Sequence, residues 1–199
     1  MQQCFNTVIT FVVFAYGNNV AEGDKHCSDI PPMRNFRASK FSGLWYDLAK
    51  TADPYSDTLQ CVTTQYKSLG SAGLHIVKNA LDSSNNTVSL EADAIFIDPS
   101  KCNGATVITE DDREGVYYTI VTTNYKEYAV VVACTLDNAP MTKWAWIQTR
   151  RPRLRRGTLR VLGHLLEAYG FSAEQTRAPE LGILCPPDAK EAVKLFAPS

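Results

Sequence analysis

Three histidines, His26, His75 and His164, and six cysteines are the residues of this chain best suited to hold a metal or attack a substrate. Their spacing supports neither. No Cys-x-x-Cys or His-x-x-x-His pair occurs, so no metal site is expected. There is no Gly-x-Ser-x-Gly elbow, no phosphate loop and no cysteine with an evident histidine partner, which makes an enzyme the weaker reading. What remains is a set of aromatic and hydrogen-bonding residues, Asp47 two places after Trp45 and the series Trp144, Trp146, Gln148 and Arg150, which alternation puts on one face of a strand. Mostly aromatic surface with a few polar groups suits holding an apolar molecule, not transforming it.

These residues sit in a chain of 199 residues, enough for one full core, with 20 basic against 21 acidic side chains, a balance that points to no nucleic-acid partner. Met1 to Val20 carries no charged side chain and resembles a secretory signal peptide, cleaved between about residues 17 and 23. Its apolar run, Thr7 to Tyr16, is roughly half the ~20 residues a membrane span needs, so no transmembrane segment is expected. The reading is a signal over 1–20 and a single extracellular domain over 21–199. Loss of the signal removes Cys4 and leaves Cys27, Cys61, Cys102, Cys134 and Cys185, which allow two bridges and one leftover thiol in about fifteen arrangements. Asn85-Asn86-Thr87 is a glycosylation sequon in a polar turn, in keeping with that compartment.

Nine Tyr, eight Phe and three Trp are spread over short segments rich in Val, Ile and Thr. Strands are predicted at about 41–51, 59–69, 74–81, 87–97, 105–110, 115–123, 127–135 and 143–150, separated by Gly, Asn, Asp and Ser clusters. Eight strands with hairpin-length connections argue an all-β antiparallel meander, and closure into an up-and-down barrel removes both edges. The period then changes: Leu159, Leu162, Leu166 and Tyr169 recur at three and four, so residues 155–169 form one amphipathic helix, stopped by Gly170, on the outside of the barrel. Arg150, Arg151, Arg153, Arg155 and Arg156 crowd its entry, where positive charge opposes the helix dipole. An anionic surface, a glycan, a processing site or a solvated loop would each account for them, the last being preferred.

Three stretches in order resemble the lipocalin family. Lys40-Phe41-Ser42-Gly43-Leu44-Trp45-Tyr46 looks like its Gly-x-Trp signature on the first strand. Thr123-Asn124-Tyr125 is similar to its Thr-Asp-Tyr turn between strands six and seven, with Asn124 for the usual aspartate. Thr149-Arg150-Arg151-Pro152 matches the arginine that ends strand eight. The resemblance implies an eight-stranded calyx whose floor is closed by Arg150 over Trp45, with Gly43, Trp45, Thr123, Tyr125 and Arg150 in structural roles. It is nearest the subgroup of apolipoprotein D, the insect bilin carriers and the retinol-binding type, which implies the bridges Cys27–Cys134 and Cys61–Cys185. Each would close a loop of over a hundred residues, worth about 4 to 5 kcal/mol as an upper figure. Cys102 is then left over as a buried free thiol, an intermolecular bridge or a reactive group, the first being preferred.

The implied function is a secreted carrier of a bilin, retinoid, steroid or fatty acid, with no required cofactor and room for a bilin or carotenoid chromophore. The pocket would be lined by Asp47, Tyr66, Trp144, Trp146 and Gln148, and by alternation His75 and Asn79 on strand three, Tyr117 and Thr119 on strand six, and Val130 and Val132 on strand seven. Tyr66 and Trp146 occupy positions that line the pocket in that subgroup. Asp47 either accepts from the N–H groups of a ligand or bonds Tyr and Gln neighbours, and the second is preferred. The alternatives are an extracellular interaction protein acting through its loops or the Arg150 to Arg156 patch, with a receptor or oligomer as unspecified partner, and a lipocalin-type isomerase using Cys102, although that residue falls in a loop between strands four and five.

Overall fold

A computed structural model describes residues 29–51, 58–108, 115–135 and 142–172. A short helical turn, α1 (Ala38–Phe41), leads into β1 (Gly43–Lys50), β2 (Gln60–Ser68), β3 (Gly73–Leu81), β4 (Thr87–Phe96), β5 (Ala105–Ile108), β6 (Val116–Thr123), β7 (Tyr128–Thr135) and β8 (Lys143–Thr149), followed by α2 (Arg156–Ala168). Each strand pairs antiparallel with the next and β8 returns to β1, so the sheet is a closed up-and-down barrel of eight strands. Closure leaves no unpaired edge. The tight hairpins form where the polar clusters predict them: Leu69 N donates to Gly73 O, and Asp82 accepts from the backbone of Ser84 and Asn86.

The first predicted strand begins two residues too early. Phe41 belongs to α1, and Ser42 is its C-cap, with its N–H closing that turn on Ala38 O. The tertiary reason is Phe41, which is fully buried with its ring 4.9 Å from Trp45 and 4.7 Å from Tyr66, where an extended chain would carry it past the barrel. The segment before it also crosses the closed end, with Met33 N donating to Ile120 O and Gly104 N to Met33 O. Residues 33–41 are therefore the plug beneath the barrel.

Two apolar layers result. The inner one joins Phe41, Trp45, Tyr66, Leu74, Ile120 and Trp144. The outer one lies between α2 and the wall, where Leu162 and Leu166 cover Val130, Val132, Ala145 and Ile147. The helix ends as its sequence predicts, with Gly170 at φ +79° and its N–H on Glu167 O.

Candidate functional site

At the closed end, Arg150 lies with its guanidinium carbon 3.9 Å from the Trp45 ring centroid. Its Nη1 donates to Leu44 O at 2.9 Å, its Nη2 to Phe41 O and Ser42 O at 3.0 and 2.8 Å, and its Nε to Tyr125 O at 3.1 Å. No carboxylate is among these partners: the guanidinium ties the plug, β1 and the β6–β7 turn together through carbonyl oxygens. Burial pushes its pKa below the ordinary arginine value. Gly43 is explained by the same group. Its φ is +107°, and a Cβ there would stand 2.9 Å from Arg150 Nη1. Thr123 and Asn124 shape the facing turn: Thr123 Oγ1 accepts from Tyr125 N, and Asn124 Oδ1 accepts from the N–H groups of Lys126, Glu127 and Tyr128. Tyr125 stacks on Phe36. This end is filled and structural.

Above it, five polar side chains form one chain of hydrogen bonds. Gln148 Nε2 donates to Asp47 Oδ1 at 2.8 Å and to Thr64 Oγ1 at 3.2 Å, while its Oε1 accepts from Tyr66 Oη at 2.9 Å. Tyr66 has only one hydroxyl proton, so in the adjoining short hydrogen bond Tyr118 donates to Tyr66. The run is Tyr118 to Tyr66 to Gln148 to Asp47. Burial, the largest influence on Tyr66, pushes its phenol well above the ordinary tyrosine pKa, so it stays a neutral donor. Asp47 is 1% exposed, and the charge on its free oxygen is balanced by Lys78 Nζ at 3.6 Å. Lys78 Nζ also sits 4.6 Å from the Trp146 ring centroid.

The inner face thus brings together Asp47, Tyr66, Trp144, Trp146 and Gln148. It does not include the other six expected residues. His75 lies on the outer surface with Nδ1 2.7 Å from Asp93 Oδ1, and Asn79 pairs with Thr63, whose neighbour Thr64 points inward. On β6 the interior is reached by Tyr118 and Ile120, so Tyr117 and Thr119 face out. On β7 the interior takes Ala129, Val131 and Ala133, while Val130 and Val132 pack in the layer beneath α2.

Each error has a physical cause. The β7 segment is apolar on both faces because helix and calyx bury both sides, which erases alternation. A bulge between Ile120 and Thr122 shifts the β6 register. On β3 the inward face carries Lys78, the residue that polarity rules would send to solvent, while His75, Val77 and Asn79 face out. Lys78 was missed for that reason and Tyr118 because of the bulge, while Thr64, on β2, is shown to face inward by its cross-strand pairing with Lys78.

None of the described cysteines, Cys61, Cys102 and Cys134, carries a free thiol. Cys102 is therefore not a leftover thiol. Cys27 and Cys185 lie outside the described residues, as does the expected signal segment. Among the described residues no group of His, Cys, Asp and Glu side chains could hold a metal, and no helix is long and apolar enough to cross a membrane.

The upper barrel differs from the filled lower half. Leu90 is directly opposite Lys78 and so shares its inward face, yet it remains 43% exposed. Outside the closed end, a cleft of about 740 Å³ is lined by Lys126, Glu127, Thr158 and the segment from Arg150 to Arg155.

A closed eight-stranded cup, plugged at one end and lined within by aromatic and aliphatic side chains around one polar network, defines a calyx protein. The chain belongs to the lipocalin and cytosolic fatty-acid binding protein family, whose sequence model matches residues 42–179; the family binds small hydrophobic ligands in such a barrel. It is 29% identical over 129 residues to the Lazarillo protein of Schistocerca americana, covering 62% of this chain and 60% of that protein, and so spans less than two thirds of that relative's length. It is 25% identical over 159 residues to insecticyanin-A of Manduca sexta, covering 76% and 83% of the two chains. The solved insecticyanin of the tobacco hornworm superposes with a TM-score of 0.66 at 20% identity, covering 80% of this chain and 88% of that one, which establishes a shared fold.

Proposed function

We propose that the protein is a secreted carrier that holds one small hydrophobic molecule of the bilin, retinoid, steroid or fatty-acid kind in the upper calyx. The observation that carries this reading is the exposed inward Leu90 above a packed floor, an apolar surface left uncovered inside a barrel. The sequence of residues 1–20, the exposed Asn85 sequon and the absence of a free thiol among the described cysteines support an extracellular setting. The carrier needs no cofactor, and a bilin or carotenoid would be its chromophoric cargo.

The test is to secrete the full chain from eukaryotic cells, record its absorption and mass spectra, and titrate delipidated protein with biliverdin, retinol, progesterone and oleate. Micromolar or tighter one-to-one binding of at least one is expected. No co-purifying apolar compound and no binding across the panel would overturn it.

A second reading is favoured by the cleft at the closed end: an extracellular interaction protein that meets an anionic partner through Arg151, Arg153, Arg155 and Arg156. Retention on heparin that vanishes when the four are neutralised, in protein that binds no apolar ligand, would select it over the carrier.

A further inference from the structure

Two polar atoms in the inner wall are buried and hydrogen-bond nothing: Asp47 Oδ2 and Trp146 Nε1. Both residues are more than nine-tenths buried. They meet around one group, since Lys78 Nζ lies 3.6 Å from that carboxylate oxygen and 4.6 Å from the centroid of that indole. The rest of the network is saturated, with Gln148 satisfied by Asp47, Thr64 and Tyr66. One acceptor and one donor beside Lys78 are therefore left without a hydrogen-bond partner in the inner wall. Leaving such groups unmade inside a protein costs about 1 to 3 kcal/mol each, a cost that a ligand supplying both bonds would recover.

The charges here decide what kind of head group fits. Asp47 and Lys78 already neutralise one another, so a ligand carboxylate would add an uncompensated charge beside Asp47, and a ligand ammonium would add one beside Lys78. A pure hydrocarbon would cover both open atoms without bonding either. An uncharged group that donates and accepts at once satisfies both.

We propose that the calyx selects neutral apolar ligands that carry a hydroxyl or lactam group, with its O–H or N–H donated to Asp47 Oδ2 and its oxygen accepting from Trp146 Nε1. This rests on the carrier reading and names the ligand class for it. Lys78 is then a specificity residue that acts by cancelling Asp47's charge.

Three polyenes of nearly one shape separate the cases: retinol with a hydroxyl, anhydroretinol with none, and retinoic acid with a carboxylate. Equilibrium dialysis of the delipidated full-length protein at neutral pH, with bound ligand measured by absorbance, reads all three. Retinol should bind about tenfold more tightly than either of the others, the size of one to two net hydrogen bonds. Trp146→Phe should erase the preference over anhydroretinol. Asp47→Asn should reverse the order of retinol and retinoic acid, because it leaves Lys78 as an unbalanced cation while its amide oxygen still accepts from Gln148. The two variants act through ratios of affinity, so a modest loss of stability in either does not obscure the result. Equal binding of all three ligands, tightest binding of retinoic acid by the wild type, or an unchanged order in Asp47→Asn overturns the head-group assignment and leaves the carrier standing. Failure of all three in protein that binds another of the four panel ligands likewise overturns the head-group assignment alone, and failure of these three and of the whole panel overturns both.

Discussion

The Arg150 guanidinium covers the face of Trp45 at 3.9 Å and at the same time takes the space that a side chain on Gly43 would need. Two family signatures that lie more than a hundred residues apart are therefore one object. The glycine is small because the arginine is there, and the arginine is held because the carbonyls of residues 40–44 turn toward it.

Gly43→Ala should destabilise the protein by about 2 to 4 kcal/mol, since φ +107° is strained for alanine and its methyl would displace Arg150. Arg150→Lys should cost a similar ~2 to 4 kcal/mol, because an ammonium cannot stack on the indole or reach several carbonyls. The double variant should cost clearly less than the sum, as the two sites share one contact. Urea unfolding followed by tryptophan fluorescence measures all three.

Val132→Ala should lower stability by about 1 to 2 kcal/mol and leave ligand affinity unchanged, because Val132 packs under α2 and not in the calyx. Trp146→Ala should do the reverse in kind, weakening ligand binding by tenfold or more. Parallel unfolding curves and ligand titrations separate the two faces of the barrel.

Asn124→Ala should cost about 1 to 2 kcal/mol, since it leaves three backbone N–H groups of the β6–β7 turn without their side-chain acceptor. Asn124→Asp keeps the acceptor and should stay within about 0.5 kcal/mol of the wild type. Thermal unfolding of the pair decides between a turn-capping role and a generic surface position.

Alkaline pH should weaken the fold through Tyr66. Its folded pKa lies above the ordinary value of 10.0. The folded state therefore holds a proton that the unfolded chain releases above about pH 10, and stability falls as pH rises from there toward the folded pKa. Tyr66→Phe should start less stable, having lost the bonds to Tyr118 and Gln148, and should lose less stability between pH 9.5 and 11.5 by roughly 1 kcal/mol or more. Equal slopes in the two proteins would remove Tyr66 as the source.

Alternation, turn residues and the change of period at residue 155 were enough to define eight strands, their meander order and a closing helix, because each of these is dictated locally. The same was true of the signatures at Trp45, Thr123 and Arg150, and of the inward set on β8, where Trp144, Trp146 and Gln148 alternate with Ala145 and Ile147. The tertiary structure alone decided the faces of β3, β6 and β7. On β7 helix and calyx both bury the strand, so hydrophobicity carries no direction, and on β6 a bulge moves the register by one. On β3 the decisive residue is a lysine: only its partner Asp47, thirty-one positions earlier in the chain and on another strand, makes an inward Lys78 cheaper than a solvated one. A pairing of that kind exists only once the barrel has closed.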